Sequence, residues 1–323
     1  MFRTPVTIPP ATAGIDLQSQ ILTLGSCFSD HIGDRLIGNK FNALSNPFGI
    51  IYNPRSIFWL LQYALTRSAP RADGYVERDG VFYHYDFHSR FSNPNKGVLE
   101  GQLKQAIDET TAYLHQADVL LLTLGTIFIY KKNADGATVA SCHKVEASNF
   151  AKYKLSSPEI VQEFKVTYDT IKKANPSIKI ILTVSPVRHI KDTLVQNSLS
   201  KATLVVACHD IVQQMKDVSY FPSFEIMVDD LRDYRFYEAD MLHPSHVAID
   251  YIWEKFGNTY FDDRTISFLR EWAIIRNALA HRPFHPAAPA HQQFLLKTIQ
   301  RLNDLKIKVD VEKEIQFLKA QLV

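Results

Sequence analysis

The sequence predicts an α/β protein: a three-layer α/β/α sandwich around a mostly parallel sheet, with a helical extension at its C-terminal end. Two observations carry this. Short, wholly apolar runs of strand length alternate with longer amphipathic stretches, and the order helix then strand repeats down the chain. That order calls for parallel strands joined by right-handed crossovers. A third observation is that Gly25 and Gly125 each end such a run and are followed by a hydroxyl residue.

The first run, Gln20 to Leu24, stops at Gly25; Phe28, Ile32 and Leu36 then recur every four residues, the spacing of one helical face. A more polar stretch near residues 69–96 contains Asp73-Gly74 and Asp79-Gly80 turns, and alternation from Val81 to His88 marks it as a hairpin-bearing insertion. A helix near Leu99 to Gln116 leads into a strand over Asp118 to Leu124. One beginning at Ser157-Pro158-Glu159 precedes a strand over Ser177 to Val184. A third, from about Leu199 to Lys216, precedes an apolar run at Phe224 to Met227, read as the next strand. Beyond about Thr265, Leu269, Trp272, Ile275 and Leu279 trace an amphipathic helix, His281 to Pro289 breaks it, and a closing helical stretch runs from His291 to Val323. The division expected is 1–263 for the sandwich and 264–323 for the extension, the latter packing on the core or on a second subunit as a homo-oligomer contact.

At 323 residues and 46% apolar composition the chain can bury a sizeable core. A formal charge of +2 gives no electrostatic case for nucleic acid. Cys27, Cys142 and Cys208 are odd in number and far apart, so neither a disulfide framework nor a zinc pattern is expected, and a reducing, cytoplasmic setting fits. The stretch Met1 to Pro10 lacks the apolar core of a leader, and runs such as Val119 to Leu122 are far short of a membrane span. No cofactor or metal is called for.

Ser26 stands at the break between strand and helix. A serine hydroxyl becomes a useful nucleophile only when a base takes its proton. The unpaired amides of a helix N-terminus can stabilise the oxyanion that attack creates. The plainer reading is that Ser26 merely caps the helix. Asp240-Met241-Leu242-His243 supplies a carboxylate and an imidazole three residues apart, with Pro244 suited to a helix start. His243 would take the serine proton while Asp240 fixes its tautomer; an exposed Asp-His pair is the plainer alternative. His243 with His246 as a metal pair lacks accompanying ligands. Cys27 as a thiol nucleophile competes with its role as a packing residue.

The pentapeptides Leu22 to Ser26 and Leu122 to Thr126 are nearly the same. Carboxyl ends of parallel strands line the ligand crevice, so both hydroxyls are expected to face one site. Around it the sequence places Gly49, in the Pro/Gly-punctuated loop Asn46 to Pro54, as a backbone donor. Arg188, after the third of the long strands, is a candidate to hold an anionic substrate group, a plain surface charge being the alternative. His88 and His143 are candidate lining residues from polar-aromatic clusters, ordinary packed loops being the alternative.

Gly25-Ser26-Cys27-Phe28-Ser29 resembles the signature of the GSCFA family, with Ser29 in place of its final Ala. Asn46 to Pro54, Thr123 to Thr126, Cys142-His143-Lys144, Ser185 to His189 and Asp229 through Pro244 are similar to it as well, so the resemblance covers roughly the first 260 residues. It implies a relation to the SGNH/GDSL hydrolases and a flavodoxin-like sandwich. In that sandwich Ser26 and Asp240-x-x-His243 stand in the first and last blocks, and Gly49 is similar to the second-block oxyanion donor. The third block departs from Gly-x-Asn: Gly125-Thr126-Ile127 has no Asn, leaving Thr126 as the substitute donor. The function implied is a serine esterase acting on a small O-acyl ester, on a small molecule or a carbohydrate. An acyltransferase with the same triad and a non-catalytic binding module are the alternatives.

Overall fold

The computed structural model describes residues 4–9, 11 and 14–323. Residues 1–3 and 10 of the N-terminal stretch examined for a leader lie outside them. No helix among the described residues is long and apolar enough to cross a membrane.

The central sheet has five parallel strands: β1 (Gln20–Gly25), β2 (Asn42–Ser45), β3 (Val119–Leu124), β4 (Lys179–Val184) and β5 (Val218–Phe221). Their order across the sheet is 2-1-3-4-5, the doubly wound arrangement of flavodoxin-like folds, whose ligand crevice opens where the order reverses, between β1 and β3. The strands are buried on both faces, which is why they read as continuous apolar runs. Leu22, Leu24, Leu120, Leu122, Ile180 and Leu182 face one layer of helices, α2 (Pro54–Thr66), α3 (Lys96–Leu114), α4 (Ser157–Ala174) and α5 (Thr193–Gln214). Ile21, Val119, Leu121 and Ile181 face the other, built from α1 (Cys27–Gly38) and α6 (His246–Tyr260). The sandwich predicted from the sequence is present, with Phe28, Ile32 and Leu36 all buried on α1.

Local chemistry sets the element ends. Ser156 and Glu159 form a reciprocal capping box at the start of α4, with Pro158 in its first turn. Residues near 69–96 do carry antiparallel strands, Tyr75–Arg78, Val81–His84 and Ser92–Asn93. A second small sheet, Phe128–Lys132 with Thr138–Val139 and Phe150–Lys154, was not foreseen.

Three expectations need correction. The last strand is Val218–Phe221, and Phe224 to Met227 sits in helical turns instead. Pro222 has no amide for the ladder, and its carbonyl accepts from the Ile226 amide at 3.0 Å, a helical bond. Helix α6 starts at His246 behind a Ser245 cap, because Pro244 is held in a bridge to Tyr237. The closing stretch is two helices, α8 (Pro289–Leu305) and α9 (Glu312–Lys319), which share a core with α7 (Asp263–Ala280). That core docks on the sandwich: Trp272 Nε1 donates to the Gly38 carbonyl at 2.8 Å, and Lys40 pairs with Glu314 at 2.6 Å. The docking lies at the C-terminal end of α1, the opposite end from Ser26.

Candidate active site

Gly25 turns the chain from β1 into α1 with φ +144°, and a β-carbon there would run into the Thr123 carbonyl, so only glycine lets β1 and β3 end so close together. The Ser26 amide donates to that same carbonyl at 3.2 Å. Buried Asn46 braces the turn: its Oδ1 accepts from the Gly25 amide at 2.8 Å, and its Nδ2 donates to Asp30 at 2.5 Å. Ser26 is the N-cap of α1, with Oγ accepting from the Phe28 amide at 3.3 Å, and it is fully buried. The Ser29 amide bonds the Ser26 carbonyl. The Cys27 amide comes next, at the first position of α1, with its own thiol beside it.

Asp240 and His243 form a close pair. Asp240 Oδ1 accepts from the Leu242 and His243 amides at 2.8 and 3.0 Å, and Oδ2 lies 2.6 Å from His243 Nδ1. The His243 amide, the His243 ring and the Leu242 amide together hold the Asp240 carboxyl down at about 2. The loop is locked by Glu238 N–H to the His243 carbonyl at 2.8 Å and Arg188 N–H to the Leu242 carbonyl at 3.2 Å. Burial is the main cause that lowers both His31 of α1 and His189, and the His243 ring stands near enough to each to contribute. This puts the imidazole on the same side of the sheet's edge as the start of α1. No hydrogen bond joins it to Ser26, and its Nε2 has no partner among the described residues.

The other predicted residues are placed as follows. The Gly49 amide is spent on the Asn46 carbonyl at 2.7 Å, while His88 lies against its α-carbon. The Thr126 amide goes to the Tyr52 carbonyl at 3.1 Å, and its hydroxyl meets Ser200 at 3.3 Å and accepts from the Phe128 amide. The Gly49 amide is thus engaged within its own loop and the Thr126 amide is committed, while either hydroxyl of the Thr126–Ser200 contact can be the donor. The cause at Thr126 is register: Gly25 pairs with Thr123, so the matching pentapeptides end two residues apart. Arg188 lies 4.0 Å from the Tyr237 ring centre and donates to the Met241 carbonyl at 3.4 Å, so it packs on the histidine loop. His143 is buried with Nε2 at 2.9 Å from the His84 carbonyl and Nδ1 at 3.1 Å from Ser89, a packed residue of the small sheets. Burial, then Asp30, push the Cys27 thiol up, so it stays protonated and unreactive at neutral pH.

Two residues escaped the sequence reading. Lys201 of α5 is fully buried and donates to the Gly125 and Ser185 carbonyls at 2.8 and 2.7 Å, tying the ends of β3 and β4 together. Burial lowers it to about 7. The signal was available: Asn197, Lys201, Leu204, Cys208 and Ile211 all lie on the buried face of α5, and a lysine inside an apolar stripe asks for partners. His189 is the other. Its backbone amide donates to the buried Asn197 Oδ1 at 2.9 Å, its ring meets Tyr52 edge to face, and its buried Nε2 has no partner.

A cavity of about 700 Å³ lies elsewhere, at the amino ends of the strands, lined by Ile8, Val119, Lys179, Val218 and Tyr220. The chemistry-bearing residues converge at the carboxyl ends, where open α/β sheets hold their ligands.

Fold and site together define a doubly wound α/β protein with a serine at the end of its first strand and an Asp-His pair on the loop before its last sandwich helix. The chain belongs to the GSCFA family, which it matches over residues 20–256, and residues 272–323 match the C-terminal domain of GSCFA domain proteins. Among curated proteins no relative matches by sequence. Solved structures similar to it include a carbohydrate esterase family 3 protein from Talaromyces cellulolyticus, at 10% identity and TM-score 0.36 over 79% of this chain and 99% of that one. An acetyl xylan esterase from the rumen bacterium Butyrivibrio proteoclasticus is similar at 15% identity and TM-score 0.31, over 76% and 66% respectively. Likeness this distant carries no argument about activity.

Proposed function

We propose that the protein is a serine esterase that hydrolyses a small O-acyl ester, with Ser26 as nucleophile, His243 as base and Asp240 as its orienting carboxylate. The observation that supports this most is the 2.6 Å Asp240–His243 bond, which uses Nδ1 and leaves Nε2 for a proton. In the proposed reaction Ser26 Oγ turns from the Phe28 amide toward His243 and attacks the ester carbonyl as Nε2 takes its proton. His243 then protonates the departing alkoxide, and water repeats the sequence in reverse to free the acid. The Cys27 amide is a donor for the oxyanion, in the position after the nucleophile that serine hydrolases use. Because Ser26 is fully buried, the reaction requires the crevice to open as substrate arrives. The substrate we propose is a short acyl group on a carbohydrate hydroxyl.

Labelling with a small fluorophosphonate tests the reading. Modification at Ser26, abolished by Ser26→Ala and His243→Ala, is expected. No labelling together with no turnover of short acyl esters would sink it. A binding module on the same fold is the second reading, favoured by the burial of Ser26 and by its hydroxyl resting on the Phe28 amide. It requires that Ser26→Ala leave ligand affinity unchanged. Supplying an acyl donor with sugar acceptors, and following product masses, separates hydrolysis from acyl transfer.

A further inference from the structure

The third-block Asn is absent, and Thr126, the residue expected to replace its donor, has its amide on the Tyr52 carbonyl and its hydroxyl against Ser200. The crevice nevertheless contains an uncommitted polar atom. His189 Nε2 is buried and has no partner, and among the described residues very few buried side-chain nitrogens or oxygens share that condition. A methyl group placed on Gly125 would lie 3.3 Å from this nitrogen and 2.9 Å from the Tyr52 carbonyl oxygen. The ring therefore covers the open face of Gly125, at the end of β3, the strand whose Thr123 carbonyl receives the Ser26 amide. An unpaired buried donor costs about 1–3 kcal/mol, and such a group in a crevice marks a place where something else is to be bound.

We infer that His189 donates from Nε2 to the carbonyl oxygen of the ester as it becomes an oxyanion, filling the role left open by the missing Asn. This rests on the esterase reading above. The ring is held for such a task from three sides. Its backbone amide is fixed by Asn197, its edge packs on Tyr52 at 5.1 Å between ring centres, and the neighbouring Arg188 amide is pinned to the histidine loop. It is not a second base. Burial is the largest influence, with Lys201 and then His243 adding to it, so it is lowered to about 3 and stays neutral. A neutral imidazole donates without losing its proton, the use to which a helix-lowered histidine is put in other enzymes. The step balances simply. Oγ bonds the carbonyl carbon, its proton goes to His243, the carbonyl electron pair moves to oxygen, and His189 hydrogen-bonds that oxygen until the pair returns and expels the alkoxide.

Steady-state kinetics on a short acyl ester, with wild type, His189→Phe and His189→Gln, tests this. His189→Phe is expected to lower kcat about 10²–10³-fold with KM little changed, and His189→Gln, whose amide can donate, to recover part of the loss. The acid limb of the kcat/KM profile should stay where it is in all three. Full activity in His189→Phe, or a moved acid limb, overturns the inference. Should the Phe variant not fold, wild-type protein carrying ¹⁵N-histidine and phosphonylated at Ser26 decides: an Nε2–H tautomer at His189 upholds the inference, and an Nδ1–H tautomer overturns it. Wild type that neither labels nor turns over fails differently. It removes the esterase reading and this one with it.

Discussion

Two regions of this molecule each pair a histidine with an aspartate, and they are built for opposite ends. In the small antiparallel sheets His84 and Asp86 are 0% and 3% exposed, with Nδ1 and Oδ2 3.9 Å apart. Every polar atom there is spoken for. His84 Nε2 meets the Arg71 carbonyl at 3.0 Å, Nδ1 accepts from the Asp86 amide, and the Asp86 carboxylate takes both Arg71 and the Tyr63 hydroxyl. At the sheet's carboxyl edge Asp240 and His243 are 45% and 42% exposed, at 2.6 Å, with one ring nitrogen left over. The first arrangement has its hydrogen-bonding capacity used up internally; the second leaves one ring nitrogen without a partner among the described residues. A histidine beside an aspartate is therefore not a site in itself. The unspent nitrogen is what separates them.

That contrast can be broken by removing one member of each pair. His243→Ala should lower kcat on short acyl esters about 10³–10⁴-fold. Its melting midpoint should barely move, since an exposed pair contributes little to stability. Arg71→Met should do the reverse. It strips the buried Asp86 carboxylate of its cation and should cost about 3 kcal/mol in denaturant unfolding, with kcat per folded molecule unchanged. If Arg71→Met proved catalytically dead while fully stable, or His243→Ala unstable while fully active, the assignment of roles would be reversed. Lys201→Met is expected to stand between these extremes. Two strand-end carbonyls lose their donor, so both stability and kcat should fall, the former by about 2 kcal/mol; intact kcat would show that β3 and β4 hold the crevice without it.

The sandwich was legible because its signals are local and repetitive: apolar runs with glycine stops, and Phe28, Ile32 and Leu36 at helical spacing. Phe224 to Met227 misled because an apolar run of four reads alike as strand or buried helix, and only Pro222 distinguished them. Ser26, Asp240 and His243 stood out through motif spacing. Their convergence depends on strand order, which no local pattern states. The donors are a related case. Whether the Gly49 amide or the Thr126 hydroxyl is free depends on partners as distant as Ser200, 74 residues away. Lys201 left a signal, a lysine in the apolar stripe of α5, but its partners, like the placement of His189, are visible only once α5 is laid on the ends of β3 and β4.

The smallest effect sharpens the comparison through pH. Burial is the main reason His143 is lowered to about 4, against an ordinary value of 6.5. Its unfolded form thus takes up a proton before its folded form does. Between pH 6.5 and 4 the unfolded state binds more protons, so stability is complete above that window and falls as pH drops through it. From pH 7 to pH 5 this one group should remove about 1–2 kcal/mol. Denaturant unfolding of wild type and His143→Gln at both values isolates it, since the other buried histidines are common to both proteins. The wild type should lose more on acidification by about that amount. Equal losses would mean that His143 is not held neutral by its burial. The small sheets would then be as open to protons as the crevice, and the difference drawn between the two regions would not stand.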